Sequence, residues 1–335
     1  MAATTLPLVT IVVCVYNAAA TLRRCLDSLA QQTYDTYEVL IVDDGSTDTT
    51  PIVVREWAEQ HPLMAIRITT KKENHGLGHS RNIGIREARG DFVGFVDGDD
   101  WVRPTFIEKL VCAQHKVNAD IVQTDYYTIH ENPSESNLVK VARHEQGLGA
   151  SMCTKLFRTT LFAEHDIWCP EHINYEEVAT TYRLGLVVNR IAYIEDCLYY
   201  YDKSNPYTIT GQRDERYLQL IDALEVLLNY TRTHELFDKK YDELLTIMLT
   251  YGMVGRLWDF FRTGQRHAVF AYYHRMSTLL DTQFPGWRSS KELQSLCPNN
   301  KYRRVLTSRL WFSIYVHYSR LFAPLRSRTS QVSNL

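Results

Sequence analysis

The chain has 335 residues, which is enough for one large domain or two smaller ones with buried cores. Its formal net charge of -2 gives no reason to expect a polyanionic partner, so binding to nucleic acid is not expected. Apolar residues make up 45% of the sequence and charged residues 23%, as in ordinary globular proteins.

Strand-like and helix-like stretches alternate from the start of the chain. A run rich in Val and Ile over 9–16 predicts a parallel strand buried on both faces. Residues 21–32 follow with the apolar spacing of an amphipathic helix, and a second strand is predicted over 37–42. The next helix is expected to begin at Asp48 as N-cap, with Pro51 in its first turn.

The same alternation continues towards residue 100. A third strand is predicted over 64–69, then a helix over 79–90 that ends at Gly90 as its C′ residue, then a strand over 91–96. Repeated strand and helix alternation predicts an α/β fold, in which a mainly parallel sheet is flanked by helices.

Beyond residue 104 the pattern is less regular. A helix is predicted over 104–117 and a strand over 119–129, followed by shorter elements up to about residue 210. From 213 to 281 two long stretches have helical spacing with almost no proline, which predicts a C-terminal helical appendage.

Cysteine usage and hydropathy bear on where the chain works. The seven cysteines are spread singly with no Cys-x-x-Cys pair, which predicts neither a zinc site nor a disulfide framework and favours a reducing cytoplasm. The apolar start lacks the basic region and cleavage site of a secretory signal, so we interpret it as a strand. No apolar run reaches the roughly 18 residues that span a bilayer, so integral membrane insertion is not expected.

Polar and acidic residues follow three of the predicted strands. Ligands of open α/β sheets bind beyond the carboxyl ends of the strands, so these residues are expected to meet at one edge. Carboxylates packed together repel each other, which favours a cation such as Mg²⁺ or Mn²⁺ that also binds substrate phosphates. The residues at the three strand ends are Tyr16 and Asn17, then Asp43 and Asp44, then Asp97, Asp99 and Asp100.

The usual backbone cradles for nucleotide phosphates are missing. There is no GxxxxGK[ST] loop, and no GxGxxG follows the first strand. We therefore expect the ion, with help from Arg81, to hold a diphosphate.

Three segments in fixed order give the sequence a recognisable family resemblance. They are "VTIVVCVYNAAATLRRCLDSLAQQTYDTYEVLIVDDGSTDTT", "GLGHSRNIGIREARGDFVGFVDGDDWV" and "NYEEVATTYRL". Over roughly residues 7–210 the chain resembles the family 2 inverting glycosyltransferases with the GT-A fold, in the branch that builds bacterial cell-surface polysaccharides. The resemblance implies a nucleotide-diphosphate sugar donor, with UDP favoured, a divalent metal, and a saccharide acceptor.

The resemblance also implies a division of the chain. Residues 1–212 would form the GT-A catalytic domain, with a nucleotide-sugar-binding half over 1–103 and an acceptor half over 104–212. Residues 213–335 would form the helical C-terminal region, and association of copies through this region stays open.

Roles for the donor-side residues follow from the same resemblance. Asn17 and Asp44 would lie near the nucleotide base, with Tyr16 beside them, and Arg81 near the ribose and phosphates. Asp97 would face the ribose or the metal. Asp99 would be the principal metal ligand, with Asp100 beside it.

The general base is expected from an acidic pair on the acceptor side. The family usually has Glu-Asp there, whereas this chain has Glu176 and Glu177. Glu177 matches the usual Asp by position, and a carboxylate there would take the proton of the acceptor hydroxyl. The assignment between the two glutamates stays open.

Plainer interpretations remain beside these. The acidic turns could be helix-opening turns, the glutamate pair could be a favourable first helical turn, and Arg81 could pair with an acid on its own helix. Two other functions are a sugar-phosphate nucleotidyltransferase and a non-catalytic sugar-nucleotide-binding subunit. The first would need a Gly-rich basic loop after the first strand, and the second would show losses among the metal-turn acids; neither is seen.

The C-terminal stretch 301–328 is basic, with seven Lys or Arg residues and no acid. An aromatic-rich basic amphipathic helix can lie in an anionic membrane surface, which would place the protein at the inner face of the membrane beside a lipid-linked acceptor. The alternative is a terminal helix docked on the protein core.

Overall fold

The structure is a computed structural model that describes residues 6–131, 136–140, 148–204, 215–255, 257 and 266–317. The chain divides into two compact units between residues 211 and 212.

A parallel half-sheet forms the start of the first unit. Its strands are β1 (Val9–Val15), β2 (Tyr37–Asp43), β3 (Ile66–Thr70) and β4 (Phe92–Phe95). They lie in the order β3-β2-β1-β4, and every pairing is parallel. All seven residues of β1 are buried, because a central parallel strand is covered on both faces.

The rest of the sheet is mixed. Its strands are β5 (Trp101–Val102), β6 (Ile121–Ile129), β7 (Asn137–Val139), β8 (Lys155–Arg158) and β9 (Ile191–Asp202). β8 joins β4 to β6 through antiparallel pairings, while β6 and β9 run parallel. The predicted α/β class is confirmed, and the prediction of a parallel sheet describes its first four strands.

Helices flank this sheet. They are α1 (Leu22–Ala30), α2 (Thr50–Gln60), α3 (Leu77–Glu87), α4 (Phe106–Val117), α5 (Leu161–Glu164) and α6 (Glu176–Val187). The apolar spacing predicted for α1 is confirmed, since Leu22, Cys25, Leu26 and Leu29 are its buried residues.

The predicted start of α2 is wrong by one residue. The N-cap position belongs to Thr49, although the Asp48 carboxylate still accepts a hydrogen bond from the Thr50 amide at 2.9 Å. Pro51 lies in the first turn as predicted, where its missing amide hydrogen costs nothing.

The predicted role of Gly90 is also wrong. α3 ends at Glu87, and Ala88 is its C-cap. The Gly90 amide instead donates to the Thr10 hydroxyl at 2.9 Å, and a Cβ at this position would lie 2.6 Å from the Thr10 backbone nitrogen. Close approach to β1, rather than helix termination, therefore requires glycine.

The second unit is helical in its described part. It contains α7 (Gln219–Thr233), α8 (Tyr241–Ile247), a π-helical segment (Met248–Gly255), α9 (Arg266–Gln283), α10 (Lys291–Leu296), α11 (Asn300–Thr307) and α12 (Arg309–His317), with 3₁₀ turns at Glu215–Leu218 and Trp287–Ser289. Within the described ranges, no helix combines the length and apolar character needed to cross a bilayer.

The basic C-terminal stretch forms two helices in its described part, since α11 and α12 are separated at Ser308. α12 buries Phe312, Tyr315 and Val316, and the Phe312 ring stacks on Tyr273 with centroids 3.6 Å apart. Arg309–His317 therefore packs on the protein, as the second of the two interpretations of the C-terminal stretch expects. Residues 318–328 of the predicted membrane helix lie outside the described residues.

Candidate functional site

The carboxyl ends of β1, β2 and β4 lie side by side. β1 runs between the other two strands, with Val15 opposite Asp43 and Val12 opposite Phe95. The buried Cys14 thiol reports the same convergence: burial raises its pKa, Arg81 lowers it, and the charges of Asp97 and Asp44 raise it further. The structure thus brings residues from all three predicted strand ends to one rim.

The loop after β1 is tied to the loop after β2. Asn17 has a φ of 49°, and its side-chain oxygen accepts a hydrogen bond from the Thr47 amide at 2.8 Å. Its own amide donates to the Ser46 hydroxyl at 3.0 Å. Tyr16 is 47% exposed, so its ring is available to a ligand at this rim.

Asp44 organises the approach to α3. Its carboxylate forms an ion pair with Lys71 and accepts hydrogen bonds from the His75 amide at 3.0 Å and the Gly76 amide at 2.8 Å. Only 4% of Asp44 is exposed. Its oxygens are therefore already engaged by protein donors, which makes Asp44 a support for the rim.

Asp43 is buried beside it with one oxygen unsatisfied. Oδ1 accepts from the Ser46 amide at 3.0 Å, whereas Oδ2 has no hydrogen-bond partner among the described residues. A buried carboxylate oxygen without a donor is uncommon and calls for a water or a ligand group.

The turn after β4 contains three acids in two different environments. Asp100 is 1% exposed; one of its oxygens accepts from the Tyr199 hydroxyl at 2.5 Å and the other from the Asp202 amide at 2.8 Å. Burial raises the pKa of Asp100, and the charge of Asp99 raises it further. Asp100 therefore anchors the turn to β9, while Asp97 and Asp99 are partly exposed.

Asp97 and Asp99 are the acids that fit a divalent ion. Burial raises the pKa of Asp99 to about 6, and the neighbouring charge of Asp97 is the next cause. The described residues contain no group of three or more His, Cys, Asp or Glu side chains arranged to hold a metal. Two carboxylates suit an ion that takes its other ligands from water and substrate phosphates.

A buried arginine of α3 forms ion pairs with an acid of α6 and an acid of the turn after β4. The Arg81 guanidinium contacts Glu176 at 2.5 Å and Asp97 at 3.1 Å. Burial lowers the pKa of Arg81, but the charges of Asp97 and Glu176 outweigh it, so the arginine stays charged. Arg81 is 3% exposed, and its guanidinium also donates to the Cys153 sulfur at 3.7 Å. Its contact with ribose or phosphate stays a prediction.

The two predicted base candidates differ in exposure. Glu176 is buried against Arg81; burial and the charge of Glu177 raise its pKa, while the Arg81 guanidinium lowers it. Because the two side chains are in direct contact at 2.5 Å, Glu176 keeps its charge and the two form an ion pair. Glu177, also in the first turn of α6, is half-buried and is the more accessible of the two.

Sequence reasoning did not single out three residues of this rim. Lys71 follows β3 and Asp202 ends β9, so the rule of strand carboxyl ends could have indicated both. Arg24 lies on α1, and nothing in its helical spacing distinguishes it from Arg23. A cavity of about 550 Å³ near the turn Asp97–Asp100 is lined by Arg24, Trp101, Arg103 and Tyr200 among others.

A family comparison agrees with this arrangement. The model described as glycosyl transferase family 2 matches residues 10–179, about half of the chain. The chain belongs to glycosyl transferase family 2. The matched range includes β1 from its second residue, β2 to β4, both acidic turns and the first turn of α6.

Several curated proteins are similar over part of their length. EpsH of Bacillus subtilis is 29% identical over 58% of this chain and 60% of EpsH. Glycosyltransferase GlyA of Streptococcus pneumoniae is 38% identical over 37% of this chain and 17% of GlyA. Poly(ribitol-phosphate) beta-N-acetylglucosaminyltransferase TarS of Staphylococcus aureus is 29% identical over 57% of this chain and 35% of TarS. The chain thus covers less than two thirds of each relative.

Solved structures share the fold. TarS 1–349 of S. aureus in complex with UDP-GlcNAc has a TM-score of 0.67 and 20% identity, over 97% of this chain and 90% of that one. Mannosyltransferase PcManGT of Pyrobaculum calidifontis, in complex with GDP-Man and Mn²⁺, has a TM-score of 0.55 and 20% identity, over 94% and 88%. The predicted GT-A fold is confirmed.

Proposed function

We propose that this chain transfers a sugar from a nucleoside diphosphate, with UDP favoured, to a saccharide acceptor with inversion at the anomeric carbon. The observation that carries the proposal is the Arg81 junction: one buried guanidinium contacts Asp97 of the metal-side turn and Glu176, the neighbour of Glu177. Because Arg81 contacts both Asp97 and Glu176, the proposed donor site and the proposed general base would be held at a fixed distance from each other. Family membership and the UDP-GlcNAc complex of TarS support the donor class.

Asp99 and Asp97 would hold Mn²⁺ or Mg²⁺ together with the donor diphosphate. Such an ion acts as a Lewis acid that stabilises the charge developing on the leaving nucleoside diphosphate. Asp100 was predicted beside them, but its oxygens already accept from Tyr199 and Asp202, so we propose that it supports the turn. The Mn²⁺ complex of PcManGT supports a divalent ion in general terms.

Glu177 would act as the general base. An acceptor hydroxyl is a poor nucleophile at neutral pH, and a carboxylate within hydrogen-bond reach takes its proton as it attacks. Glu176 is sealed against Arg81, so it fixes the first turn of α6 rather than meeting the acceptor. One displacement from the face opposite the leaving group inverts the sugar carbon.

The nucleotide base would lie near the loops after β1 and β2. Tyr16 is exposed and offers a ring, and Asn17 fixes its loop against Thr47. Asp44 would fix the segment that leads into α3, because its carboxylate accepts from the His75 and Gly76 amides and pairs with Lys71. Within the proposed catalytic domain 1–212, residues 1–103 thus serve the donor and residues 104–212 the acceptor.

We further propose that the acceptor is lipid-linked and that the protein works at the inner face of the cytoplasmic membrane, in cell-surface polysaccharide synthesis. The support is two consecutive helices of the second unit: α12 exposes Leu310 by 68%, Trp311 by 47% and also Arg309, and α11 exposes Lys301 and Arg304. Cations next to an aromatic and an aliphatic side chain suit an anionic lipid surface. Flotation with anionic and neutral vesicles tests this; equal recovery of the protein with both would contradict it.

The catalytic proposal is tested by release of UDP from a panel of UDP-sugars with Mn²⁺, with and without chelator, and with the product identified by mass spectrometry. We expect turnover that the chelator abolishes. Tight UDP binding without turnover on any donor and acceptor would instead indicate a sugar-nucleotide-binding subunit. Release of pyrophosphate from a nucleoside triphosphate would indicate a nucleotidyltransferase.

A further inference from the structure

The metal-side turn, defined as Asp97–Asp100, is held from outside by an arginine of α1. One terminal nitrogen of Arg24 donates to the Asp99 backbone oxygen at 2.7 Å and contacts the Asp202 carboxylate at 2.5 Å. The Asp202 amide donates to Asp100 at 2.8 Å. Arg24 therefore contacts Asp99, Asp202 contacts Asp100, and the two side chains contact each other.

An aromatic stack fixes the arginine in place. The Arg24 guanidinium lies 3.9 Å from the centre of the Trp101 ring, which suits a cation–π contact. Trp101 stacks on Tyr200 with centroids 5.3 Å apart, and Tyr200 stacks on Tyr127 at 5.7 Å. These three aromatic residues are directly opposite one another across β5, β9 and β6. The Arg24 side chain is thus restrained by packing against the end of this aromatic stack.

A surface ion pair alone would not support a functional role, because exposed pairs contribute little. This pair differs in that the Asp202 side chain is 5% exposed, while Arg24 is 44% exposed. Ser204 also holds Asp202, through its amide at 2.8 Å and its hydroxyl at 2.5 Å. Hydrogen bonds to a charged group contribute more than neutral ones, and a main-chain contact at Asp99 restrains the backbone from which its carboxylate projects.

We infer that Arg24 is a positioning residue, which with Asp202 fixes the backbone of Asp99 so that its carboxylate is preorganised for a divalent ion. The inference rests on the proposed metal-dependent function. Arg24 does not touch the reacting atoms; it acts through Asp99. Preorganised ligands bind more tightly because less ordering remains to be done on binding.

The test is the affinity of the whole chain for Mn²⁺ in the presence of UDP, measured by electron paramagnetic resonance of free Mn²⁺. Arg24→Gln should weaken Mn²⁺ binding about tenfold, the loss expected from one charge-assisted contact. Arg24→Lys should be intermediate, because a lysine keeps the charge but cannot keep both contacts and the flat stack.

Arg23→Gln is the matched control. Arg23 is adjacent on α1 and similarly exposed, but it contacts Asp27 and Gln60 away from the turn. Its removal should leave Mn²⁺ affinity unchanged within about twofold. Thermal unfolding of the metal-free variants separates a loss of affinity from a general loss of structure, with Arg24→Lys as the variant to use if Arg24→Gln does not fold.

The inference is overturned if Arg24→Gln binds Mn²⁺ as the unaltered chain does, or if Arg23→Gln weakens binding to the same extent. An unaltered chain that binds Mn²⁺ with UDP but transfers no sugar would defeat the proposed function while leaving the Arg24 comparison intact. An unaltered chain that binds no Mn²⁺ would overturn both.

Discussion

The two acidic turns of the rim look alike in sequence and differ in structure. "VDDGS" begins in the last two residues of β2, and "VDGDD" follows β4. In the first turn both acids are buried, with Asp43 1% and Asp44 4% exposed, and Asp44 is engaged by Lys71 and two backbone amides. In the second turn only Asp100 is sealed, while Asp97 and Asp99 reach the surface.

The difference teaches that acids at a strand end serve two purposes. We expect a fully buried carboxylate to support the shape of the rim, whereas a partly exposed carboxylate can also contact a ligand. Exposure differs in the same way in the first turn of α6, where Glu176 is buried against Arg81 and Glu177 is half-buried. Replacing a buried acid should therefore lower the stability of the fold, and replacing a partly exposed acid should lower the rate of sugar transfer.

The largest effect is expected from the open acid Asp99. Asp99→Ala should lower the transfer rate by roughly 10⁴-fold, because loss of the ion removes several kcal/mol of stabilisation of the leaving group. Its melting temperature should stay near that of the unaltered chain. Initial rates with saturating donor, together with differential scanning fluorimetry, measure both. A stable Asp99→Ala protein with near-normal rates would break the comparison.

Glu176 and Glu177 provide a second comparison between a buried acid and a partly exposed one. Glu177→Gln should lower kcat by roughly 10³-fold with little change in donor binding, since a general base typically contributes this much. Glu176→Gln should mainly weaken the Arg81 junction and lower the melting temperature. Steady-state kinetics and UDP titrations of the two variants distinguish them. If Glu176→Gln has the larger effect on kcat at unchanged UDP affinity, Glu176 is the base.

The sealed acid Asp44 should show the opposite pattern from Asp99. Asp44→Ala leaves Lys71 buried without its partner, and breaking such a pair costs about 3 kcal/mol of unfolding free energy. Asp196→Ala is the control: it removes an acid from an exposed pair with Lys109, for which a loss below about 1 kcal/mol is expected. Denaturant unfolding measures both. Equal losses of unfolding free energy in the two variants would show that the buried Asp44 contributes no more to stability than an exposed acid.

The smallest effect is expected from Lys155, a buried lysine that has no acidic partner among the described residues. Lys155 is fully buried, and among the described residues its amine donates to the Ser151 carbonyl oxygen and forms no ion pair. Burial lowers its pKa to about 7. Between about pH 7 and 10.5 the unfolded chain therefore binds a proton that the folded chain does not, so stability rises with pH in this range.

Lys155→Met should remove this dependence. The variant should be more stable than the unaltered chain by about 2 kcal/mol near pH 7, after the lost hydrogen bond is counted, and the gain should shrink as the pH approaches 10.5. Unfolding at pH 7, 8.5 and 10 measures the trend. A gain that is the same at all three values would show that the lysine is charged in the folded protein throughout.

Local pattern was enough for much of the fold. The buried strands, the apolar face of α1 and the acids at the strand ends all follow from periodicity over a few residues, which local sequence reports directly. The errors at Asp48 and Gly90 are errors of element boundaries. Gly90 is a glycine because β1 passes close to it, and that contact joins residues 80 positions apart.

By itself, the sequence determined the family, the order of elements and the acids that gather at the rim, because each rests on short-range spacing or on segments in fixed order. Tertiary structure alone decided which acids are sealed and which stay open. Arg81 meets Glu176 across 95 positions, and Arg24 meets Asp202 across 178. Such partners are chosen by packing between distant segments, and burial then decides whether a carboxylate serves the fold or a ligand.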